Sequence, residues 1–178
     1  MWSSKALFAA ALVLFLAGCG FRPLYVPPEE DASGQGVYAF DLFKSISIAN
    51  IPDREGQYFR NRLVQLLHPA GRSGAARYVL NVTLNETRSS LAVQKSAVAT
   101  RANLTVTAQF TLQPVGADGS AGYGAVKTIS GYNIFQSEFQ TLMAEKGARE
   151  RALDDLAQQL RIRLAAILTT TESTPKQQ

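Results

Sequence analysis

Acyl transfer and related nucleophilic chemistry need an activated nucleophile with a base in reach. This chain offers one cysteine, Cys19, and one histidine, His68. Cys19 closes an apolar N-terminal run, and His68 abuts Pro69 at the end of a helical pattern, where a surface or capping role is expected. One Cys and one His also argue against a Cys/His zinc site. Asp154-Asp155 is the best local pair for acid–base work. Arg149 and Arg151 lie beside it on a helical pattern, which fits a solvated charged face. The loop GADGSAGYG (116–124) has glycines but lacks the Lys-Ser/Thr of a phosphate loop. Asn81, Asn85 and Asn103 each begin an Asn-x-Thr triplet, unremarkable in strands rich in both residues. No catalytic residue, metal or cofactor is expected, and the chain is not expected to be an enzyme.

The elements that would position any site form one domain in 178 residues. Hydrophobic residues at 46% and charged residues at 18% are ordinary for a globular chain. The formal charge is +4, and Lys5 in the leader accounts for one of these charges. With no dense Lys/Arg run, no nucleic-acid partner is expected. Met1–Lys5, the apolar run Ala6–Leu16 and the small residues Ala17-Gly18 have the layout of a secretory signal over residues 1–18. The run is too short for an ordinary transmembrane helix. Leu16-Ala17-Gly18-Cys19 looks like the lipobox of bacterial lipoproteins, in which Cys19 is the lipid attachment site and becomes the first residue. A lipoprotein of this type carries three acyl chains, palmitate among them, and two or more suffice for stable anchoring. Gly20, in the place where Asp retains such proteins at the inner membrane, points to the outer membrane.

Residues 19–36, with three prolines and paired acids, read as the acylated N-terminus and a flexible tether. A domain over 37–168 follows, then a disordered polar tail over 169–178. Ile46 and Ile48 alternate with serines in a first strand reaching Ile51. Pro52-Asp53 opens a helix with Phe59, Leu63, Leu66 and Leu67 on one face. Tyr78, Leu80, Val82 and Leu84 alternate with polar residues. Ala102, Leu104, Val106, Ala108, Phe110 and Leu112 do so more strictly, so both segments are half-buried strands. Pro114–Gly124 reads as a hairpin loop, and Ala125–Phe135 as a fourth strand with a bulge or close approach at Gly131. Ser137 and Gln140 suggest a capping box. Leu142, Arg149, Leu153, Leu156, Leu160, Leu164 and Ile167 form the core stripe of a last helix, with one charged exception and with Gly147 as a kink or a delayed start. The order β-α-β-β-β-α predicts an α+β fold: a four-stranded, mostly antiparallel sheet with two helices packed on one face.

Two features suit binding. The outer face of the third strand is rich in Thr, Asn and Gln, with one charge at Arg101. Such a face meets a polar protein wall without stranding buried ions, or it is an ordinary wet sheet face. Arg88, Lys95, Arg101, Lys127 and Lys146 lie near strand ends or connections, where they would pair with phosphates or simply be solvated.

LAGCGFRPLY (16–25), this element order and the helix AEKGARERALDDLAQQLRIRL (144–164) resemble the LptE family of lipopolysaccharide-assembly lipoproteins, in its alphaproteobacterial form. The resemblance implies an outer-membrane lipoprotein on the periplasmic side that plugs the LptD β-barrel and assists delivery of lipopolysaccharide. It implies lipopolysaccharide contacts near Lys95 and near Glu145-Lys146, the second being absent if Glu145 is the counterpart, and neither cofactor nor catalysis; Arg101, from the basic residues above, is taken as a further lipopolysaccharide contact. An auxiliary lipoprotein of another envelope transport system is the alternative. Replacing the anchor tests the shared part: Cys19→Ala is expected to abolish acyl labelling and release the protein from the membrane fraction.

Overall fold

The computed structural model describes residues 39–71, 74–91 and 100–173. The leader, Cys19, the tether, Lys95 and residues 174–178 lie outside the described residues. Seven elements follow in order: α1 (Ala39–Lys44), β1 (Ile46–Ile48), α2 (Asp53–Leu67), β2 (Tyr78–Leu91), β3 (Arg101–Pro114), β4 (Gly122–Asn133) and α3 (Glu138–Ser173). The α+β class is as expected, with one helix more. The six residues of α1 are too few to show a helical period, yet Leu42 and Phe43 are fully buried.

The sheet order is β1-β2-β3-β4, with β1 parallel to β2 and the other pairings antiparallel. β3 is the centre. Its even-numbered residues Ala102 to Leu112 are all buried, and its odd-numbered ones are not. It pairs with β2 from Leu91↔Arg101 to Tyr78↔Pro114, and with β4 from Arg101↔Asn133 to Leu112↔Gly122. Fourteen strand residues at the usual rise make the ladder about 43 Å long.

β4 begins at Gly122, inside the segment read as a loop, and ends at Asn133. Gly122 and Gly124 serve a close approach here. A Cβ on Gly122 would meet Ile167 of α3 at 2.6 Å, and one on Gly124 would meet the Phe110 ring at 3.2 Å. The left-handed turn glycines are Gly116 and Gly119. Gly131 causes no bulge, because the register runs through it unbroken.

α3 lies on the even-numbered side of the sheet, burying Ala148, Ala152, Leu153, Leu156, Ala157, Leu160, Leu164 and Leu168. Ser137 Oγ accepts the Gln140 N–H at 3.5 Å, and Gly147 falls within the helix without delaying its start. Leu142 was expected in the core stripe and is instead 61% exposed. The helix also continues through Ser173, so Thr169–Ser173 are its last turn rather than tail. Thr169, Thr170 and Thr171 donate their hydroxyls to carbonyls three or four residues back, a local bond open to threonine in a helix.

α2 buries Gly56, Phe59, Leu63 and Leu67. β1 stops at Ile48, and the buried Ile51 packs under Gly56 from outside the strand. His68 takes the expected capping role, as the C-cap of α2 with its N–H on the Val64 carbonyl, but it is buried rather than on the surface. Its Nε2 lies 3.0 Å from the Phe43 carbonyl and ties the end of α2 to α1. Residues 37–178 group into one compact unit.

Gly56→Ala sets two effects against each other. Alanine favours a helix by about 1 kcal/mol over glycine, but its Cβ would lie 2.7 Å from Ile51 Cγ2 and 3.0 Å from Ile51 backbone atoms. Overpacking against backbone costs about 1–3 kcal/mol, so a net loss of stability is expected in urea denaturation.

Candidate functional site

No described element covers the side of the sheet opposite the helices. Cross-strand partners share a face, so the register collects Asn81, Thr83, Asn85, Thr87 and Ser89 of β2 with Arg101, Asn103, Thr105, Thr107, Gln109, Thr111 and Gln113 of β3. Tyr123, Ala125, Lys127, Ile129, Gly131 and Asn133 of β4 join them. No carboxylate lies on these described positions, and Arg101 and Lys127 are the cations. Asn81 donates to Gln113 at 3.1 Å across the strands. Tyr123 and Ile129 are exposed, which adds an apolar strip along β4.

At the Arg101 end of this face a shallow open cleft of about 340 Å³ is lined by Arg101, Tyr132, Phe135, Met143, Gly147 and Arg151, among others. The Arg101 guanidinium lies over Gly131, and Arg151 lies over Gly147, each within van der Waals reach of where a Cβ would stand. Neither arginine makes an ion pair with a described residue. Lys146 does not line the cleft; its Nζ is 3.9 Å from Glu150 Oε1. Lys127 stands mid-strand on the open face, away from the cleft. Of the expected cations, then, only Arg101 reaches the cleft among the described residues, and its companion is Arg151. Arg151 is expected beside Asp154 on a solvated charged face. Asp154 instead pairs with Arg62 of α2 at 3.1 Å and accepts from Tyr58 at 3.4 Å. Tyr58 is pushed above the usual phenol range by burial and then by the Asp154 charge.

Arg88 is also engaged, in a cluster between sheet and helix. Glu86 and Arg88 continue the helix-facing parity of Leu80, Val82 and Leu84. Arg149, the charged exception in the apolar stripe of α3, grips Glu86 with Nε at 2.8 Å and Nη2 at 2.9 Å. Its Nη2 also donates to Glu145 at 2.6 Å. Arg88 completes the ring at 3.0 Å from Glu145 and 3.4 Å from Glu86, and Tyr132 donates to Glu145 at 3.4 Å. Hydrogen bonds from Arg149 hold the Glu86 carboxyl below the usual carboxylate range, against the opposing effect of burial. The same bonds hold Arg149 above its ordinary value. Burial, with the Glu145 charge, raises Tyr132. Every polar group here finds a partner, which is what half-buried charges require. The cluster is structural, and it fixes the first half of α3 above the sheet.

Among the described residues no group of three or more acidic, His or Cys side chains is placed to hold a metal ion. No described helix is long and apolar enough to cross a membrane.

The family model LptE, described as lipopolysaccharide-assembly, matches residues 43–164. The chain belongs to this family. Solved structures with the LptE-like fold include a lipoprotein from Caulobacter crescentus CB15, with TM-score 0.58 and 18% identity, covering 74% of this chain and 96% of that one. A minor lipoprotein from Acinetobacter baumannii gives TM-score 0.57 and 18% identity over 70% and 92% of the two chains. Rare lipoprotein B from Shewanella oneidensis gives 0.50 and 15% over 72% and 94%. No curated protein matches by sequence. Membership of the LptE family places the chain in lipopolysaccharide assembly.

The ionic cluster has a pH signature. Because the folded pKa of Glu86 is lowered, its stabilisation is complete above the unfolded value of about 4.3. It is lost as pH falls through the lower folded value. Glu86→Gln is expected to destabilise this LptE-family domain by about 1–3 kcal/mol at pH 7. It should also flatten the fall in stability below about pH 4.3. Urea denaturation between pH 7 and pH 3 measures both.

Proposed function

We propose that this chain is an outer-membrane lipoprotein, anchored through Cys19, that seats in the lumen of an LptD β-barrel. There it assists the barrel's assembly and the delivery of lipopolysaccharide to the outer leaflet. Membership of the LptE family supports the assembly role. The uncovered sheet face carries the plug reading. It is rich in Thr, Asn and Gln and free of carboxylates at its described positions, so it can desolvate against a polar lumen wall without burying unpaired charge. Its length of about 43 Å is close to the 40–45 Å of a bilayer with its headgroups. Large barrels enclose a polar interior of this kind.

The role is steric and organisational rather than catalytic. The domain fills the lumen, and its cations contact lipopolysaccharide phosphates. Lys95, Arg101 and Lys146 are the proposed contacts, with Arg101 the one that lies on the cleft.

Affinity capture of the tagged protein in mild detergent should recover one large β-barrel protein in equal ratio. Thr105→Glu with Thr107→Glu, two charges at the middle of the open face, should lower that recovery by about tenfold or more. Recovery of inner-membrane transporter subunits alone would sink the reading in favour of another envelope system. Unchanged recovery by the double variant would move the barrel contact off this face.

A further inference from the structure

The two edges of the sheet are finished differently. β1 presents only three residues at one edge, whereas β4 presents twelve at the other and bonds β3 alone among the described strands. The ladder shows which backbone groups of β4 are left over. The Ile134 N–H bonds the Thr100 carbonyl at 3.0 Å. In the register that pairs these two, the even-numbered residues of β4 carry the bonds to β3. The Val115 N–H on the Arg77 carbonyl gives the matching result, with odd-numbered residues of β3 bonded to β2. The N–H and C=O groups of Tyr123, Ala125, Lys127, Ile129, Gly131 and Asn133 therefore point outward along the free edge.

Natural sheets blunt such an edge with a short strand, proline, a bulge or charge. β4 is long, has no proline, keeps an unbroken register and carries one charged residue, Lys127. Lys127 stands near the middle, where it works against self-pairing. Two copies of β4 aligned antiparallel over their full length would set the two Lys127 side chains opposite or diagonal on one face, and like charges so placed repel. A strand of opposite charge meets no such obstacle. Arg163 adds a cation on the other face. Gln159 Nε2 donates to Thr128 Oγ1 of β4 at 3.5 Å, and Arg163 follows Gln159 one turn on along that flank of α3. Lys127 and Arg163 are both exposed, and neither is ion-paired to a described residue.

We propose that the free edge of β4 takes up an added strand: an extended acidic segment of the barrel partner, lying inside the lumen, with one carboxylate across from Lys127 and another, on the opposite face, beneath Arg163. The proposal rests on the barrel reading and names the part of the partner that β4 meets. Wall strands of a closed barrel have no backbone groups to spare, so the segment belongs to a loop or terminus turned into the lumen. Main-chain bonds supply the hold, and the two cations set the register. Without the added strand, the outward row of N–H and C=O groups would be desolvated in the lumen with side chains as its only partners.

Hydrogen exchange on the complex captured in mild detergent reads the alternation directly. In the free domain the amides of Ala125, Lys127 and Ile129 should exchange readily, while those of Val126 and Thr128 are held by β3. In the barrel complex the first three should slow by about a hundredfold; contact through the open face alone would leave them fast. Ile129→Pro deletes one edge N–H and no bond to β3, and should lower barrel recovery by about tenfold. Ile129→Thr keeps that N–H and should lower it by about threefold at most. Lys127→Glu with Arg163→Glu should lower recovery by about tenfold, and it carries the mutational test should Ile129→Pro fail to fold. Barrel recovered with the three amides still fast, or undiminished recovery by a folded Ile129→Pro chain, overturns the edge assignment and leaves the plug reading standing. Failure of the unaltered protein to recover any barrel overturns both. Slowing of the same amides in the domain alone as its concentration rises means that a second copy takes the edge, and this too overturns the proposal.

Discussion

The helices lie on one side of the sheet, and the longest of them, α3, has to cover three long strands. Its 36 residues extend about 54 Å, whereas α2, with 15 residues, extends about 22 Å. Where both helices are present, near the Tyr78 end of β2, the interlayer space is filled by Leu and Phe. Towards the Leu91 end α3 stands alone, and one helix cannot keep water from the rims of three strands. There the helix-facing positions change from Leu80, Val82 and Leu84 to Glu86 and Arg88, and α3 changes in step from Leu to Arg149 and Glu145. The cluster they form is a half-wet continuation of the core, tolerable because each charge is bonded.

The same one-sidedness sets the surface. With all cover on the even-numbered side, the odd-numbered residues of β3 meet only their neighbours on β2 and β4, and short uncharged polar side chains fit that crowded row. Acidic residues are missing from the described positions of this face although the chain has fourteen of them, so the absence is a property of the face. Fourteen unbroken pairs between β2 and β3 make the face stiff. At the other extreme α3 outruns its sheet. Met143 shares a cleft with Arg101 of β3, whereas Phe139 and Leu142 are exposed, with no described strand covering them.

Much of this was legible in the chain. The alternation over Ala102–Leu112 named the buried face of β3 residue by residue, because successive strand side chains must point to opposite sides. The limits of α2 followed from Pro52 and Pro69 for an equally local reason. The misses were of another kind. Gly122 and Gly124 were read as a turn, since glycine is the usual turn residue, but they are strand positions left bare for Ile167 and Phe110. Leu142 matched the helical period and was assigned to the core, although no strand reaches far enough to cover it. Arg149 broke the apolar stripe for no local reason, and Arg151 carried no signal separating it from any solvated arginine.

Local bond geometry decides which side chains share a face, and one sequence suffices to read that. Composition and the residues around Cys19 likewise needed no structure to suggest an anchored α+β domain. Which face meets another element, and where one element ends short of its partner, depends on the lengths and registers of segments far apart in the chain. The pairing of Glu86 with Arg149 across 63 positions, the cleft shared by Arg101 and Arg151, and the bare end of α3 therefore existed only once the sheet and its long helix had been laid side by side.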